Sequence, residues 1–352
     1  MPDTSFSPTL YAVGIVSTGI YIPSKQISND ALATSVENYD PIQGKGSLDA
    51  WIRRRYGIEK RHHSTPEELP SYQGAQAAFQ ALKRANLQAS DIDFLILNTS
   101  FGDYAQPTTA TAVQHLLGMR PDSFALELNM PCSGPIFGIS IARNFLATGQ
   151  YRYGLVVGVD RMTSLVDQTD FKMAGLFGEG AGACILGRCN SGGIQAVHLG
   201  SQGEVGQESD YALYIPAGKA KQPASLESVR GKRHFLHMNG KKVEAFVYRC
   251  FKESIHALLK KSGQTPKDIA YVVPHQAAKK LILNGLLPLG FTQEQILFSV
   301  AEYGNTSSAS ILITLDKLTH SPPPSCSSVI LVGMGGGLNW GGILYEWTQD
   351  FV

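Results

Sequence analysis

The sequence lacks an excess of charge of either sign. Its 352 residues include 30 Lys and Arg against 29 Asp and Glu, which gives a formal net charge of +1. Nucleic-acid-binding proteins contact phosphates through a clustered cationic surface, so this balance argues against that class. Charged residues make up only 17% of the chain and hydrophobic residues 43%, the reverse of a disordered protein. The chain therefore has ample apolar material for a folded core.

Cysteine pairs and long apolar runs are also missing. The five cysteines are an odd number and no two form a CxxC pair, which argues against a disulfide scaffold or a zinc ribbon and favours a reducing compartment. Because no run of about 18 apolar residues is uninterrupted, no transmembrane helix is expected. The N-terminus has no basic region of the kind that begins a signal peptide. We therefore expect a cytoplasmic protein with no membrane contact.

Short apolar segments alternate with amphipathic segments, a pattern typical of α/β proteins. The length allows about two domains, or one domain with an internal duplication. Hydrophobic periodicity predicts buried strands over 93–99 and 153–160, and helices over 133–148, 243–261 and 306–318.

The two halves of the chain repeat the same order of elements. In the first half 41 residues separate Asp91, near a strand start, from Cys132, and in the second half 37 residues separate Asp268 from Asn305. Each half then ends in a glycine-rich turn before an apolar strand. Duplicated units of this kind often build a site at their interface. The two units that we predict are residues 1–189 and 190–352.

Three polar residues stand where predicted strands end. Cys132 comes at a predicted helix start, where the helix dipole would stabilise a thiolate, although an isolated cysteine is more often a small buried side chain. His275 follows an apolar strand, at the edge where α/β sheets bind ligands, although a lone histidine is more often structural. Asn305 alone would be a helix N-cap, but it occupies the position that Cys132 occupies in the first half.

The glycine clusters differ in what they predict. The run 333–341 offers bare backbone amides that suit an oxyanion hole. The run 178–183 fits a relaxed dinucleotide-binding pattern, but a strand rather than a helix follows it, so a nicotinamide or flavin site is rejected.

Taken in order, these motifs resemble the β-ketoacyl-acyl carrier protein synthase III family of thiolase-fold condensing enzymes. The resemblance rests on PCSGP around Cys132, PHQA around His275, GNTSSAS around Asn305 and the run GMGGGLNWG, and it extends from about residue 12 to residue 345. It implies a duplicated α/β fold of five layers, αβαβα.

The resemblance also implies the chemistry. Cys132 would be the acylated nucleophile, His275 and Asn305 would complete the triad, and the N–H groups of Cys132 and Gly336 would form the oxyanion hole. The reaction would be acyl transfer from a thioester to Cys132, followed by decarboxylative Claisen condensation with a malonyl-type thioester. No metal or redox cofactor would be required.

The resemblance also implies which residues bind the substrates. Trp51 and Arg55 match positions that bind the nucleotide end of coenzyme A, and Ala278 replaces an asparagine that positions pantetheine. Lys279 and Lys280 keep positive charge where a carrier protein would dock. The implied substrates are acyl-CoA and malonyl-CoA or malonyl-acyl carrier protein, and a homodimer is expected.

Two departures fall at the acyl pocket. Met334 replaces a common phenylalanine, and Gln106 replaces an apolar residue that reaches the partner subunit's pocket. Together with Ala278 they favour a specialised, polyketide-like role over the initiation of fatty-acid synthesis. Three alternatives stay open: a cysteine hydrolase, a thiolase-fold acyltransferase that forms an ester or amide without condensation, and a non-catalytic partner subunit.

Overall fold

A computed structural model describes residues 10–352. Its strands, in chain order, are β1 (Ala12–Tyr21), β2 (Lys25–Ser28), β3 (Lys60–His63), β4 (Phe94–Asn98), β5 (Phe124–Leu128), β6 (Tyr153–Asp160), β7 (Gly180–Cys189), β8 (Gly193–Ser201), β9 (Leu213–Tyr214), β10 (His237–Met238), β11 (Ile269–Pro274), β12 (Ser328–Gly335) and β13 (Asn339–Glu346). Its α-helices are α1 (Asn29–Leu32), α2 (Leu48–Tyr56), α3 (Pro70–Ala85), α4 (Thr109–Leu117), α5 (Gly134–Ala147), α6 (Phe171–Leu176), α7 (Leu226–Arg230), α8 (Gly240–Ser262), α9 (Lys279–Leu286), α10 (Val300–Tyr303) and α11 (Ser310–His320).

Two mixed sheets carry the repeated organisation. The first has the strand order β1-β7-β6-β4-β5 and the second β8-β13-β12-β11, so the strands correspond one to one apart from β5. In each sheet the third and fourth strands are parallel, and the second is antiparallel to both of its neighbours. At the position of β5, the second sheet has a parallel bridge between Val272 and Ile296 in place of a strand. The repeat seen in the sequence is therefore a repeat of topology.

The sheets and helices form five layers, as the resemblance implies. Helices α3 and α4 pack on the outer face of the first sheet, and α8 and α9 pack on the outer face of the second. Helices α5 and α11 lie between the sheets and join the inner faces of both in one core cluster. The five-layer αβαβα fold is confirmed.

Strand β4 shows why the central strands are apolar throughout. Phe94 and Ile96 point into the middle layer, whereas Leu95 and Leu97 face the outer helices, and all four are fully buried. Because such strands are covered on both faces, they read as continuous apolar runs rather than alternating ones.

The predicted elements are found in order, with shifted ends. The helix predicted over 243–261 begins three residues earlier, because the Asn239 side chain accepts a hydrogen bond from the Lys242 N–H and caps it. The helix predicted over 306–318 is instead a 3-10 turn, Ser307–Ala309, followed by α11.

The boundary after residue 189 stays a prediction. The first sheet lies wholly before it, since β7 ends at Cys189, and the second begins after it at Gly193. Among the helices of residues 10–352, none is both long and apolar enough to span a bilayer.

The close approach of β7 to α11 predicts a stability effect. A Cβ on Gly182 would lie 2.5 Å from the Leu312 Cβ and 3.3 Å from the Ala309 carbonyl oxygen. Gly182→Ala should therefore lower the free energy of unfolding by about 1–3 kcal/mol, measured by urea titration, because it forces apart two packed layers. Gly240→Ala is the matched control, since its Cβ meets nothing within 4 Å. Equal stability of the two variants would show that this contact constrains nothing.

Candidate active site

Cys132 lies on a tight turn between β5 and α5. Its backbone is left-handed, with φ of 57°, which is rare for a residue other than glycine and often marks a functional turn. Helix α5 begins one residue later than the predicted start at residue 133, at Gly134. The residue as a whole is partly exposed, but its sulfur points inward at the second half of the chain, where the Sγ lies 3.6 Å from the Ser307 Oγ.

Close packing of α5 on β4 sets the position of this turn. Asn98, at the end of β4, is fully buried and donates a hydrogen bond to the Val157 carbonyl at 3.0 Å. A Cβ on Gly134 would lie 2.8 Å from the Asn98 Cβ, so only glycine permits this approach. The start of α5 is thereby pressed against the sheet.

The predicted oxyanion turn meets Cys132 at the end of β12. A Cβ on Gly335 would lie 2.9 Å from the Cys132 Cβ and against the Pro131 carbonyl. Gly336 follows, with Pro131 on one side and Leu213 on the other. Within residues 10–352, neither the Cys132 N–H nor the Gly336 N–H donates to a protein acceptor. Unpaired amides of this kind are uncommon and can serve an anionic oxygen.

His275 lies directly after β11, beside the same strand β12. Its N–H donates to the Val332 carbonyl at 2.8 Å, and the residue is 3% exposed. The ring Nδ1 lies 2.7 Å from the Ser310 Oγ. Burial lowers the pKa of His275 to about 3, so the imidazole is neutral at physiological pH.

Asn305 is held by the first half of the chain. Its N–H donates to the Leu176 carbonyl and its carbonyl accepts from the Gly178 N–H, each at 3.0 Å. Its side-chain Oδ1 accepts the Ser307 N–H at 2.9 Å, which orients the amide group. The same short segment therefore holds Asn305 and contacts the Cys132 sulfur.

The buried side chain of Asp160 holds the segment that follows Asn305 in place. Asp160, at the end of β6, accepts hydrogen bonds from the Ser308 N–H at 3.1 Å and from the Ser308 hydroxyl at 2.5 Å. Its other oxygen accepts the Ser100 N–H at 2.6 Å. Ser307 itself is left-handed, with φ of 49°, so a second unusual backbone conformation faces Cys132.

The Cys132 thiol is neutral in this setting. Burial raises its pKa to about 12; the hydrogen bond with Ser307 lowers the pKa, and the nearby negative charge of Asp160 raises it. The helix dipole was expected to stabilise a thiolate, but the loss of solvation around the sulfur outweighs it. Helix α5 begins only at Gly134, two residues after the cysteine. Neutral Cys132 and neutral His275 therefore do not form a thiolate–imidazolium pair.

The predicted nucleotide-binding residues lie on α2. Trp51 is half-buried in edge-to-face contacts with Phe171, at a centroid distance of 4.9 Å, and with Tyr56, at 5.3 Å. Those contacts also fit the simpler view of Trp51 as an anchoring aromatic. Arg55, one turn later, is exposed to solvent.

The start of α9 meets the end of α2. Ala278 is buried at the first position before α9, and a Cβ on Gly57 would lie 2.6 Å from the Lys279 Cβ. The Lys279 ammonium lies 5.5 Å from the centre of the Phe298 ring, so this side chain is engaged by packing. Lys280 is exposed and is the better placed of the two lysines for a partner.

The two predicted acyl-pocket residues differ in exposure. Met334 is 2% exposed on β12, directly before Gly335. Gln106 is exposed on the loop between β4 and α4, where Phe101 and Tyr104 are exposed as well.

Three site residues were not predicted from the sequence. Ser307, Ser310 and Asp160 carry no motif of their own, and the only available signal was the density of hydroxyl groups in GNTSSAS. Their importance comes from contacts across the two halves.

Two family models match the chain. The model described as 3-Oxoacyl-[acyl-carrier-protein (ACP)] synthase III matches residues 126–203, which include Cys132. The model of the C-terminal part of the same enzyme matches residues 259–347, which include His275, Asn305 and Gly336.

Similar proteins cover almost the whole chain. The beta-ketoacyl-[acyl-carrier-protein] synthase III of Caldanaerobacter subterraneus subsp. tengcongensis is 35% identical over 96% of this chain and 98% of its own. The enzyme of the same name from Clostridioides difficile is 34% identical over 95% and 98%.

Solved structures agree. The 3-oxoacyl-[acyl-carrier-protein] synthase III of Aquifex aeolicus has a TM-score of 0.83 at 29% identity, covering 95% of this chain and all of its own. The priming beta-ketosynthase of the R1128 polyketide pathway has a TM-score of 0.85 at 27% identity, covering 99% and 100%. Sequence and structure together place the chain in the β-ketoacyl-[acyl-carrier-protein] synthase III family of condensing enzymes.

Proposed function

We propose that this condensing enzyme is acylated on Cys132 and then condenses the acyl group with a malonyl-type thioester. One observation supports the proposal most: the Cys132 sulfur, the Asn305 segment and the glycine turn at Gly336 converge from three parts of the chain. Two unpaired N–H groups accompany them.

In the first step the Cys132 sulfur attacks the carbonyl carbon of an acyl thioester. The carbonyl oxygen becomes anionic and accepts hydrogen bonds from the Cys132 and Gly336 N–H groups. The departing thiolate takes up the proton that Cys132 loses, so coenzyme A leaves as a thiol. Because burial keeps the thiol neutral at rest, Cys132 loses its proton as its sulfur attacks and not before substrate binds.

In the second step a malonyl thioester loses CO₂ and leaves an enolate. Neutral His275 and the Asn305 amide donate hydrogen bonds to the enolate oxygen. The enolate carbon then attacks the acyl-Cys132 carbonyl, the carbon–sulfur bond breaks, and a β-ketoacyl thioester is released. The Cys132 thiolate takes up a proton from solvent, which restores the neutral thiol. No step of this scheme uses a metal or a redox cofactor, which stays a prediction.

Acyl-CoA and malonyl-CoA or malonyl-acyl carrier protein are the substrates we propose. Exposed Arg55 offers a cation to phosphate near the point where α2 meets α9, and Lys280 offers one to an acidic carrier protein. The fit of a carrier protein is supported by the names of the relatives, which are acyl-carrier-protein synthases.

A homodimer in the cytoplasm is part of the proposal. Strand β5 is an edge strand of the first sheet, and the loop that follows β4 exposes Phe101, Tyr104 and Gln106 to contact by a second copy. A sedimentation mass equal to that of one chain would contradict the dimer.

A specialised biosynthetic role is favoured over the initiation of fatty-acid synthesis. Gln106, Ala278 and Met334 depart from the family pattern at substrate-binding positions. Acetyl-CoA and malonyl-carrier protein used as efficiently as any longer donor would contradict this preference.

Acylation gives the first prediction on activity. Incubation with a panel of acyl-CoA lengths should add one acyl mass to the protein in intact-mass spectra, and Cys132→Ala should abolish it because the nucleophile is gone. Cys326→Ala, which removes an exposed free thiol, should keep the adduct. Absence of any adduct on the wild type would favour a non-catalytic partner subunit, and ester or amide products would favour the acyltransferase alternative.

Condensation should depend on the two enolate donors. His275→Ala and Asn305→Ala should each raise the barrier to malonyl decarboxylation by about 2–4 kcal/mol, or roughly 30- to 1,000-fold in rate. The rate of Cys132 acylation should change far less, because the amides of Cys132 and Gly336 remain. The release of radiolabelled CO₂ measures the rate of decarboxylation, and intact-mass spectra measure the rate of Cys132 acylation. Equal losses in both steps would mean that these residues do not act on the enolate.

The neutral thiol predicts a distinctive pH dependence. Because burial raises the pKa of Cys132 to about 12, its alkylation by iodoacetamide should rise about tenfold per pH unit across the neutral and mildly alkaline range. The measurement is best made in a Cys326→Ser background, by peptide mass. A rate that reaches a plateau near neutral pH would reveal a thiolate–imidazolium pair instead.

A further inference from the structure

A buried hydroxyl group faces the far side of the His275 ring. Ser310, the first residue of α11, is fully buried, and its Oγ lies 2.7 Å from the His275 Nδ1. The His275 backbone is held by Val332, so the two side chains meet in a fixed geometry.

The surroundings of this contact favour the Ser310 hydroxyl as the donor. The Ser310 Oγ already accepts the Gln276 N–H at 3.4 Å. A serine hydroxyl has one hydrogen to donate, and in the part of the chain that the structure describes its one acceptor is the His275 Nδ1. A neutral imidazole that accepts at Nδ1 carries its proton on Nε2.

We infer that Ser310 is a positioning residue, which fixes His275 in the Nε2-protonated tautomer and so directs an N–H donor at the enolate oxygen. The inference rests on the role proposed above for His275. With the opposite tautomer, the Nε2 lone pair would face the enolate and repel it.

The second donor is oriented in a parallel way. The Ser307 N–H donates to the Asn305 Oδ1, which leaves the amide hydrogens of Asn305 free to point at the same oxygen. Burial, which lowers the pKa of His275, keeps the ring neutral, so a single proton must be placed correctly. One segment, residues 305–310, therefore supplies one donor and orients the other.

Ser310→Ala tests the inference because it removes the hydroxyl and little else. The rate of malonyl decarboxylation should fall by roughly 10- to 100-fold. A loss of this size approaches that expected when one hydrogen-bond donor to the enolate is removed. Cys132 acylation should stay within about twofold of the wild type, since its amide donors are untouched. Ser310→Thr, which restores a hydroxyl, should recover most of the decarboxylation rate.

Ser254→Ala is the matched control, because it removes a fully buried serine hydroxyl on α8 that has no hydrogen-bond partner in the residues described. Both rates should be unchanged in it. Unchanged decarboxylation in Ser310→Ala, or equal losses in both steps, would overturn the inference. If His275→Ala lowers decarboxylation while Ser310→Ala does not, only the role of Ser310 fails; if His275→Ala has no effect, the proposed function itself fails.

Nuclear magnetic resonance gives a readout that needs no active variant. In wild-type protein with ¹⁵N-labelled histidine, the signals absent from His275→Gln belong to His275. A protonated Nε2 and an unprotonated Nδ1 are expected, and a protonated Nδ1 would refute the inference directly.

Discussion

The whole site depends on two helices that share one layer. Helices α5 and α11 lie between the sheets, and the turns that precede them carry Cys132 and Asn305. Because both helices share one core cluster with the two sheets and protein interiors are close-packed, a shift of either helix would have to move both sheets. Glycines at the closest approaches, such as Gly182 on β7 and Gly134 on α5, allow that packing. The distance between nucleophile and donor is thus set by the core of the molecule.

The electrostatics of the site follow from the same packing. Burial withdraws water from the Cys132 sulfur and the His275 ring, and this favours the neutral form of both. Water would otherwise compete for every donor, so its exclusion strengthens each hydrogen bond to a developing oxyanion. Asp160 places a buried negative charge near the cysteine, and hydrogen bonds from Ser308 and Ser100 satisfy both of its oxygens. The result is a set of oriented neutral donors rather than an ion pair.

Several parts of this arrangement were predictable from residue patterns. Apolar runs such as β4 could be recognised because strands buried on both faces have no polar side. Cys132, His275 and Asn305 stood out because each follows a strand and belongs to a motif with a known order. Ser307 and Ser310 could not be distinguished from other serines, because a hydroxyl acquires a role only from the atom it faces. The shift of the α5 start to Gly134 was also hidden, since helix ends depend on caps and packing.

The sequence by itself determined the family, the duplicated α/β organisation and which side chains we propose to react, because these depend on periodicity and on motifs that are local in the chain. Only the tertiary structure decided how those side chains meet. The thiol–hydroxyl contact between Cys132 and Ser307 spans 175 residues, and the bond from Asp160 to Ser308 spans 148. Such contacts arise from the docking of two half-molecules, and burial at that interface also sets the protonation states. These contacts and protonation states depend on packing between residues that are far apart in the chain, so they cannot be predicted from any local segment.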